Sequence, residues 1–368
     1  MAGSVSYPGV YVEETYSLGM SVQSRPTAVT AFVGDFAGVP TGGVRVNDWA
    51  GFTKLGDADG GVGADKGLGP VLKSYFQNGG GYCYLVSTAG SSLAEALEAL
   101  TALGDVTIVA APGLWDQGAQ TAGEWARALT GWAAENKAMA ILHTDRDHTA
   151  DQAATAVDAW NLDEHARGCA AVYLPWLKPG ADAEPIAPSG AVAGAWTTLD
   201  NARGVWNAPA NIILHGIDSP LHPTTDADQG AHRNLNFIRT FPDRGTLIWG
   251  ARTLLDADEW RYIPICRLAN TVERDIQQGL RPVVFEPNSQ PTWEVVRSAV
   301  DNYLHSLWQQ GALMGSTPQE AYFVQVGQGV TMTQDDIAAG RLIVKVGLAA
   351  LRPAEFIILK FIQEMTQA

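Results

Sequence analysis

The chain has 368 residues, of which 46% are hydrophobic and 17% charged, and its 39 acidic and 24 basic residues give a net charge of −15 at pH 7. This length accommodates two domains, and the charged fraction is below the roughly 25% of typical soluble domains. The acidic balance and the lack of any run of Lys or Arg argue against direct nucleic-acid binding, because phosphate neutralisation needs clustered cations. The low charge favours a subunit that hides much of its surface in an assembly.

Cysteine use and hydropathy narrow the class of protein further. Cys83, Cys169 and Cys266 are widely spaced without a metal-binding pattern, so we expect free, buried thiols in a reducing compartment. The N-terminal residues lack a basic region followed by an apolar one, and no run of 18 apolar residues occurs. The sequence therefore predicts synthesis in the cytoplasm without a signal peptide, and no membrane insertion.

Both ends of the chain are predicted to be strand-forming arms. Residues 7–14 read Tyr-Pro-Gly-Val-Tyr-Val-Glu-Glu, and residues 356–362 read Phe-Ile-Ile-Leu-Lys-Phe-Ile. An apolar terminal strand needs a partner, since a free one promotes aggregation. The second arm is apolar on both faces and so requires cover on both sides. Pro8 and Gly9 limit ladder bonds in the first arm, so its pairing is expected near residues 10–14.

Residues 82–174 alternate between short apolar runs and helical patterns. Ser91 or Ser92 is placed to cap the first of these helices, and apolar strands separated by helices indicate a mostly parallel sheet covered on both faces. The glycine-rich residues 56–70 are predicted to form a surface loop. They lack the Lys-Ser/Thr pair of a phosphate-cradling loop, which argues against a nucleotide site.

The rest of the chain has a different character. Residues 175–242, rich in Pro, Gly, Asn and Asp, are predicted to form an irregular connector, and residues 262–268 and 282–285 are expected to be extended. Residues 294–313 have the apolar spacing of an amphipathic helix. The patterns at residues 321–326 and 341–347 predict strands. We place domain boundaries to give an N-terminal arm (1–26), an α/β domain (27–252) and a C-terminal domain with its arm (253–368).

One loop has residue types that suit catalysis. Residues 143–148, His-Thr-Asp-Arg-Asp-His, follow a predicted strand, and ligands of parallel sheets bind beyond the carboxyl ends of strands. A metal site or acid/base pair is one interpretation. The other, which we favour, is a polar loop in which Asp147 or Thr149 caps the next helix. A serine hydrolase is disfavoured because no Gly-x-Ser-x-Gly elbow occurs, and Ser189 is expected in a turn.

A longer signature points to a family. Residues 188–194 read Pro-Ser-Gly-Ala-Val-Ala-Gly, and residues 200–211 read Asp-Asn-Ala-Arg-Gly-Val-Trp-Asn-Ala-Pro-Ala-Asn. Together they closely resemble the signature of contractile tail sheath proteins of phages and related injection particles. Further stretches match the family in the same order, namely residues 7–14, 27–34, 78–86, 235–239, 249–254 and 285–288. The compact length and the Asn-Gly-Gly-Gly-Tyr-Cys-Tyr segment are most similar to sheaths of the antifeeding-prophage and Photorhabdus virulence cassette type, with small phage sheaths as the alternative.

The resemblance implies a fold and a function. The fold would be a subtilisin-like, non-catalytic α/β domain with a mostly parallel sheet, joined to an α+β C-terminal domain with extended N- and C-terminal β arms. The protein would use no cofactor. It would form hexameric rings stacked around an inner tube, with baseplate and terminal cap proteins as further partners, and would contract to drive the tube through a target envelope. An α/β hydrolase or metal-dependent enzyme and a static shell protein are the alternatives. Where many relatives have an Asn-Val-Arg-Arg type strand, this chain has Ile-Pro-Ile-Cys-Arg at residues 263–267.

The resemblance also implies which residues make contacts between subunits. The arms would pair with neighbours, with residues 342–346 as an acceptor strand, through Tyr7, Val10, Tyr11, Val12, Glu13, Glu14, Leu342, Val344, Val346, Phe356, Ile358, Leu359, Phe361 and Ile362. The predicted helix at residues 294–313 either faces the tube or packs within its own domain. If it faces the tube, the contact residues would be Glu294, Arg297, Asp301 and His305. The signature at residues 188–211 would fix the link between domains and bind no ligand.

Overall fold

The computed structural model describes residues 20–36, 38–40, 42–57 and 68–355. Both predicted arm strands, residues 7–14 and 356–362, lie outside the described residues, as does most of the predicted loop at residues 56–70. The strands are β1 Thr30–Gly34, β2 Val44–Val46, β3 Cys83–Ser87, β4 Ile108–Ala110, β5 Met139–His143, β6 Ala170–Leu174, β7 Leu177–Lys178, β8 Ile212–Ile213, β9 Ser219–Pro220, β10 Asn236–Phe241, β11 Gly245–Trp249, β12 Tyr322–Val326 and β13 Val344–Leu348. The helices are α1 Trp49–Asp57, α2 Leu68–Gln77, α3 Leu93–Leu103, α4 Ala119–Glu135, α5 Ala150–Ala159, α6 Glu164–Gly168, α7 Ser189–Arg203, α8 Asp226–Ala231, α9 Ile263–Gly279, α10 Gln290–Gln309, α11 Pro318–Ala321 and α12 Gln334–Ala338.

A nine-stranded sheet forms the centre of the molecule, in the order β2-β3-β1-β4-β5-β6-β10-β11-β8. The six strands from β3 to β10 run parallel, and β2, β11 and β8 add antiparallel edges. Every residue of β1, β3, β5 and β6 is buried, as expected for strands covered on both faces. The predicted α/β class with a mostly parallel sheet is confirmed.

Helices cover both faces of this main sheet. Apolar residues of α3, α4, α5 and α6 pack on one face, and those of α2 and α7 pack on the other. The predicted cap is confirmed at Ser92, whose hydroxyl accepts from the backbone N–H of Glu95 in a capping box. A local sequence signal therefore sets where α3 begins.

The prediction of an irregular connector at residues 175–242 is wrong in its centre. Residues Ser189–Arg203 form helix α7, and Ser189 is its first residue instead of a turn residue. A Cβ atom on Gly190 would lie 2.2 Å from the carbonyl oxygen of Val71, and one on Gly194 would lie 2.3 Å from that of Tyr75. The glycines and small side chains of the signature thus allow α7 to pack directly against the backbone of α2.

Residues 262–268 were expected to be extended, and this prediction is also wrong. Ile263 begins the 17-residue helix α9, with Pro264 in its first turn, where the missing N–H costs no helical hydrogen bond. Residues 282–285 are not a strand either, because Arg281–Val283 forms a 3₁₀ turn. The β-branched residues and Pro264 that suggested a strand are tolerated in α9 because its apolar residues face a core.

The region from α9 to Glu355, which we call the C-terminal region, has a core of its own. Helices α9 and α10 pack with β12 around the buried side chains of Leu268, Val300, Leu304 and Tyr322. The helix predicted at residues 294–313 is confirmed as α10, and the two predicted strands as β12 and β13. Among the described residues, no helix is long and apolar enough to cross a membrane.

Candidate assembly interface

The C-terminal region contains a two-stranded sheet whose outer edges have no strand partner among the described residues. Strands β12 and β13 pair antiparallel, from Tyr322 opposite Leu348 to Val326 opposite Val344. Within the described residues this sheet contains no third strand. The outer edge of each strand therefore presents backbone N–H and C=O groups that another strand can pair with. Val344 and Val346 of the predicted acceptor lie in β13, and Leu342 lies two residues before it.

An apolar groove of about 1170 Å³ lies between β13 and helix α9. Alternate residues of β13 line one wall, Val344, Val346 and Leu348, and α9 contributes Leu268, Val272 and Ile276 to the other. Lys345 falls between the groove residues and is exposed, as the two-residue period of a strand requires. An apolar cleft beside an unused strand edge is suited to an incoming strand with bulky apolar side chains.

An exposed apolar turn lies at the rim of this groove. Val284 is 61% exposed and Phe285 is fully exposed, and both line the groove. Phe285 has φ = 77°, a left-handed conformation that is unfavourable for a residue with a bulky side chain. Backbone strain and exposed aromatic surface at one residue are typical of contact sites. Sequence reasoning missed this turn because it treated residues 282–285 as a strand.

Helix α10 presents the four predicted contact residues on one side. Glu294, Arg297 and Asp301 are exposed, and His305 is half-buried beside Trp308. Arg297 forms an ion pair with Glu294, which contributes little to stability because it is exposed. The opposite side of the helix is buried in the C-terminal core. The polar side is therefore free to contact another protein without cost to the fold.

A buried ion pair joins the signature to the C-terminal region. Arg267 in α9 donates to both carboxylate oxygens of Asp200 in α7, at 2.9 and 2.6 Å, and to the carbonyl oxygen of Thr27 at 3.0 Å. Thr27 also donates its hydroxyl to Asp200 at 2.5 Å. Both charged side chains are 3% exposed. Asp200 thus connects α7, α9 and the chain just before β1, which supports a linking role for the signature.

The loop at residues 143–148 has the structure of a helix cap. Thr149 accepts from the backbone N–H of Gln152 in a capping box at the start of α5. His143 is fully buried at the end of β5, and burial lowers the pKa of His143 to about 3, although Asp145 acts in the opposite direction. Across the part of the chain that the structure describes, no group of three His, Cys, Asp or Glu side chains is placed to hold a metal.

The three thiols have the predicted structural role. Cys83, Cys169 and Cys266 are free and buried. Burial raises the pKa of Cys83 and Cys266 to about 12 and that of Cys169 to about 11. A thiol that stays protonated is a poor nucleophile, so these residues serve packing.

Comparisons with known proteins agree with this architecture. A family model described as the phage tail sheath C-terminal domain matches residues 256–364. A search of curated proteins gives no match. Among solved structures, the sheath complex of an extracellular contractile injection system, PVC, in the contracted state is 42% identical, covering 98% of each chain with a TM-score of 0.83.

Two structures of the anti-feeding prophage are also similar. Its helical sheath in the contracted state is 39% identical with a TM-score of 0.79, and its baseplate, 6-fold symmetrised, is 38% identical with a TM-score of 0.78. Both alignments cover 98% of this chain and 100% of the other. The fold and these matches define a sheath subunit of a phage-tail-like particle. The chain belongs to the contractile tail sheath family.

Proposed function

We propose that this sheath subunit is non-enzymatic and assembles as hexameric rings stacked around an inner tube. The sixfold symmetry of the similar baseplate structure and the helical symmetry of the similar sheath support this arrangement. The matched sheaths are in a contracted state, which supports a function in which the sheath shortens and drives the tube through a target envelope. The partners are other copies of the chain, the tube, the baseplate and a terminal cap.

The observation that carries this proposal is the outer edge of β13, which lies beside the apolar groove and has no strand partner in the described part of the chain. We assign this edge to a strand donated by a neighbouring subunit. Residues 356–362 suit this edge because, as a strand, they would have mainly bulky apolar side chains on both faces. One face would fill the groove and the other would be covered by further protein. Residues 10–14 of the other arm would add a shorter strand to the same mesh.

Donated strands explain how a sheath changes shape without falling apart. Backbone hydrogen bonds along a strand edge are numerous and independent of the rest of the subunit surface. Subunits can therefore slide and rotate over their larger interfaces while the arms keep them connected. The free energy for contraction is stored in subunit packing, so the process needs neither a nucleotide nor a cofactor.

The polar side of α10 is our candidate for the tube-facing surface. Glu294, Arg297, Asp301 and His305 provide charges of both signs on one helical surface, which favours specific recognition over strong attraction. Arg297→Glu should reduce sheath formation on purified tube while leaving tube-free polymerisation unchanged. Equal loss of both would assign α10 to contacts between sheath subunits instead.

Removal of the C-terminal strand tests the proposed assembly. Deleting residues 356–368 should abolish tubular assemblies in electron micrographs, because the acceptor edge of β13 loses its partner strand. The truncated subunit should remain folded, since its three cores lie within the described residues. Deleting only residues 363–368 is the matched control and should leave tubes intact. Tubes of normal length from the longer deletion would refute the proposal.

A further inference from the structure

The last described residue of the chain is held by a bidentate contact. Glu355 accepts a hydrogen bond from Nε of Arg252 at 2.9 Å, and a second guanidinium nitrogen of Arg252 bonds the other carboxylate oxygen. The hydroxyl of Tyr262 donates to the same carboxylate at 3.2 Å. We call these three residues the arm clamp, because residues 356–362 follow Glu355 directly.

The arm clamp is partly shielded from water. The side chain of Arg252 is 10% exposed and that of Glu355 is 24% exposed, and the guanidinium lies over the ring of Tyr262 at 5.7 Å. Burial alone would raise the pKa of Glu355, but hydrogen bonding and the charge of Arg252 outweigh burial and lower it. Glu355 is therefore ionised at neutral pH, and the contact is a charged, two-point one.

Arg252 is itself fixed to the main sheet. Its backbone N–H donates to the side-chain oxygen of Asn236 at 2.7 Å, and the Asn236 amide donates back to its carbonyl at 2.8 Å. Asn236 is fully buried in β10 and also donates to the carbonyl of Val172 in β6. Arg252 further pairs with Tyr262 as an antiparallel bridge. The clamp therefore attaches Glu355 to the centre of the molecule.

The residues just before Glu355 have no such support. Residues 351–355 form neither helix nor strand, and the last backbone pairing before them joins Leu313 to Ala350. Without the clamp, Ala350 instead of Glu355 would be the last anchored residue before the donated strand. Five residues add roughly 17 Å of possible reach, compared with about 25 Å for the seven residues 356–362 themselves.

We propose that Arg252, Tyr262 and Glu355 are positioning residues that fix the point and direction from which the C-terminal strand leaves the subunit. This inference rests on the proposed function of that strand. A strand that starts from a fixed point searches a smaller volume, which raises its effective concentration at the correct neighbour. A released strand reaches further and pairs with more than one neighbour. The clamp thereby determines which subunit receives the strand.

Distance measurement on the free subunit tests the positioning directly. Spin labels on Ile357→Cys and on the exposed Asp158→Cys of α5 report the distance from the start of the arm to the main domain. Glu355→Gln should at least double the width of the distance distribution, because it removes the charge that holds the carboxyl group. Glu259→Gln is the matched control, since Glu259 is an exposed carboxylate three residues before Tyr262 in the chain and should not change the width. A native distribution as broad as that of Glu355→Gln would overturn the proposal.

Measurements of sheath length and tube formation distinguish a failure of the clamp from a failure of the donated strand. Sheaths of Glu355→Gln should form, because the strand is intact, but their mean length should fall at least threefold as strands pair with the wrong neighbours. Sheaths of Glu259→Gln should keep the native length. Native length for Glu355→Gln together with loss of tubes on deleting residues 356–368 would overturn the clamp alone. Tubes from the deletion variant would instead overturn the donated strand.

Discussion

The main sheet and the two-stranded sheet of the C-terminal region solve the problem of strand edges in different ways. In the main sheet, six parallel strands are covered by helices on both faces, and short antiparallel strands close its two ends. In the C-terminal region, β13 has an outer edge without a strand partner among the described residues and faces an apolar groove. The main sheet ends in strands of three and two residues, which are too short to pair with a long strand, whereas the five-residue β13 beside its groove is suited to pair with another strand.

Because of this difference, we expect substitutions in the main sheet to affect folding and substitutions at β13 to affect assembly. A substitution that damages the main sheet or its helices should lower the free energy of unfolding of the subunit. A substitution on the groove side of β13 should leave the subunit folded and prevent polymerisation.

The largest effect is expected at the ion pair between Asp200 and Arg267. Asp200→Ala leaves a buried guanidinium without its carboxylate, which typically costs about 3–5 kcal/mol. Chemical denaturation should report this loss. Asp226→Ala is the control, because Asp226 pairs with Arg239 but is 94% exposed, and its loss should cost about 1 kcal/mol or less. Equal losses in the free energy of unfolding for the two variants would contradict a role of Asp200 in linking α7 to α9.

Gly190 packs closely against α2, whereas Gly131 has open space around it. Replacing each with alanine should therefore change the free energy of unfolding in opposite directions. Gly190→Ala would place a methyl group against the carbonyl oxygen of Val71 and should destabilise the protein by about 1–3 kcal/mol. Gly131→Ala in α4 meets no atom within 4 Å and should stabilise it by about 0.5–1 kcal/mol, because alanine is the better helix former. Thermal unfolding of both variants checks the contrast, and a stabilising Gly190→Ala would contradict it.

His143 should make the stability of the subunit depend on pH. Its folded pKa of about 3 lies below the unfolded value of about 6.5, so the unfolded chain binds the proton first. The contribution of His143 to the free energy of unfolding is therefore fully present above pH 6.5. It is lost as the pH drops from 6.5 toward 3, by at most about 1.4 kcal/mol per pH unit. His143→Phe should flatten this part of the profile in denaturation experiments at pH 7 and pH 5. An unchanged profile would show that other groups cause the dependence.

The smallest effect on folding is expected at the groove face of β13. Val344→Asp places a carboxylate at a half-buried position at the start of the strand and should lower the free energy of unfolding by about 1 kcal/mol or less, because aspartate is disfavoured in strands. It should nevertheless prevent tube formation, because the charge would be buried without a partner when a strand fills the groove. Lys345→Asp, on the exposed face of the same strand, is the control and should still form tubes by negative-stain microscopy.

Sequence patterns predicted the parts of the fold that depend on local signals. Apolar runs located the parallel strands, and Ser92 and Thr149 marked helix starts through their capping boxes. The patterns failed at α7 and α9 for physical reasons. In α7 the small residues needed for contact with α2 erase the apolar periodicity of a helix, and in α9 the β-branched residues and Pro264 imitate a strand. Tertiary packing overrides local propensity at both places.

The candidate interface was predictable only in part. Periodicity indicated a strand at β13 and an amphipathic helix at α10, and the structure contains both elements. The groove, the exposed Phe285 turn and the arm clamp depend on contacts between residues far apart in the chain, such as Arg252 and Glu355, which are 103 positions apart. A single charged residue in a sequence carries no signal of such a partner.

The most direct test of the donated strand is an electron cryo-microscopy reconstruction of the sheath assembled on its tube. The map should show an extended segment along the outer edge of β13, with side chains in the groove lined by Val344, Val346 and Leu348. The density of this segment should trace back to Glu355 of a neighbouring subunit. An empty groove, or a segment that traces to the same subunit, would contradict assembly by strand donation.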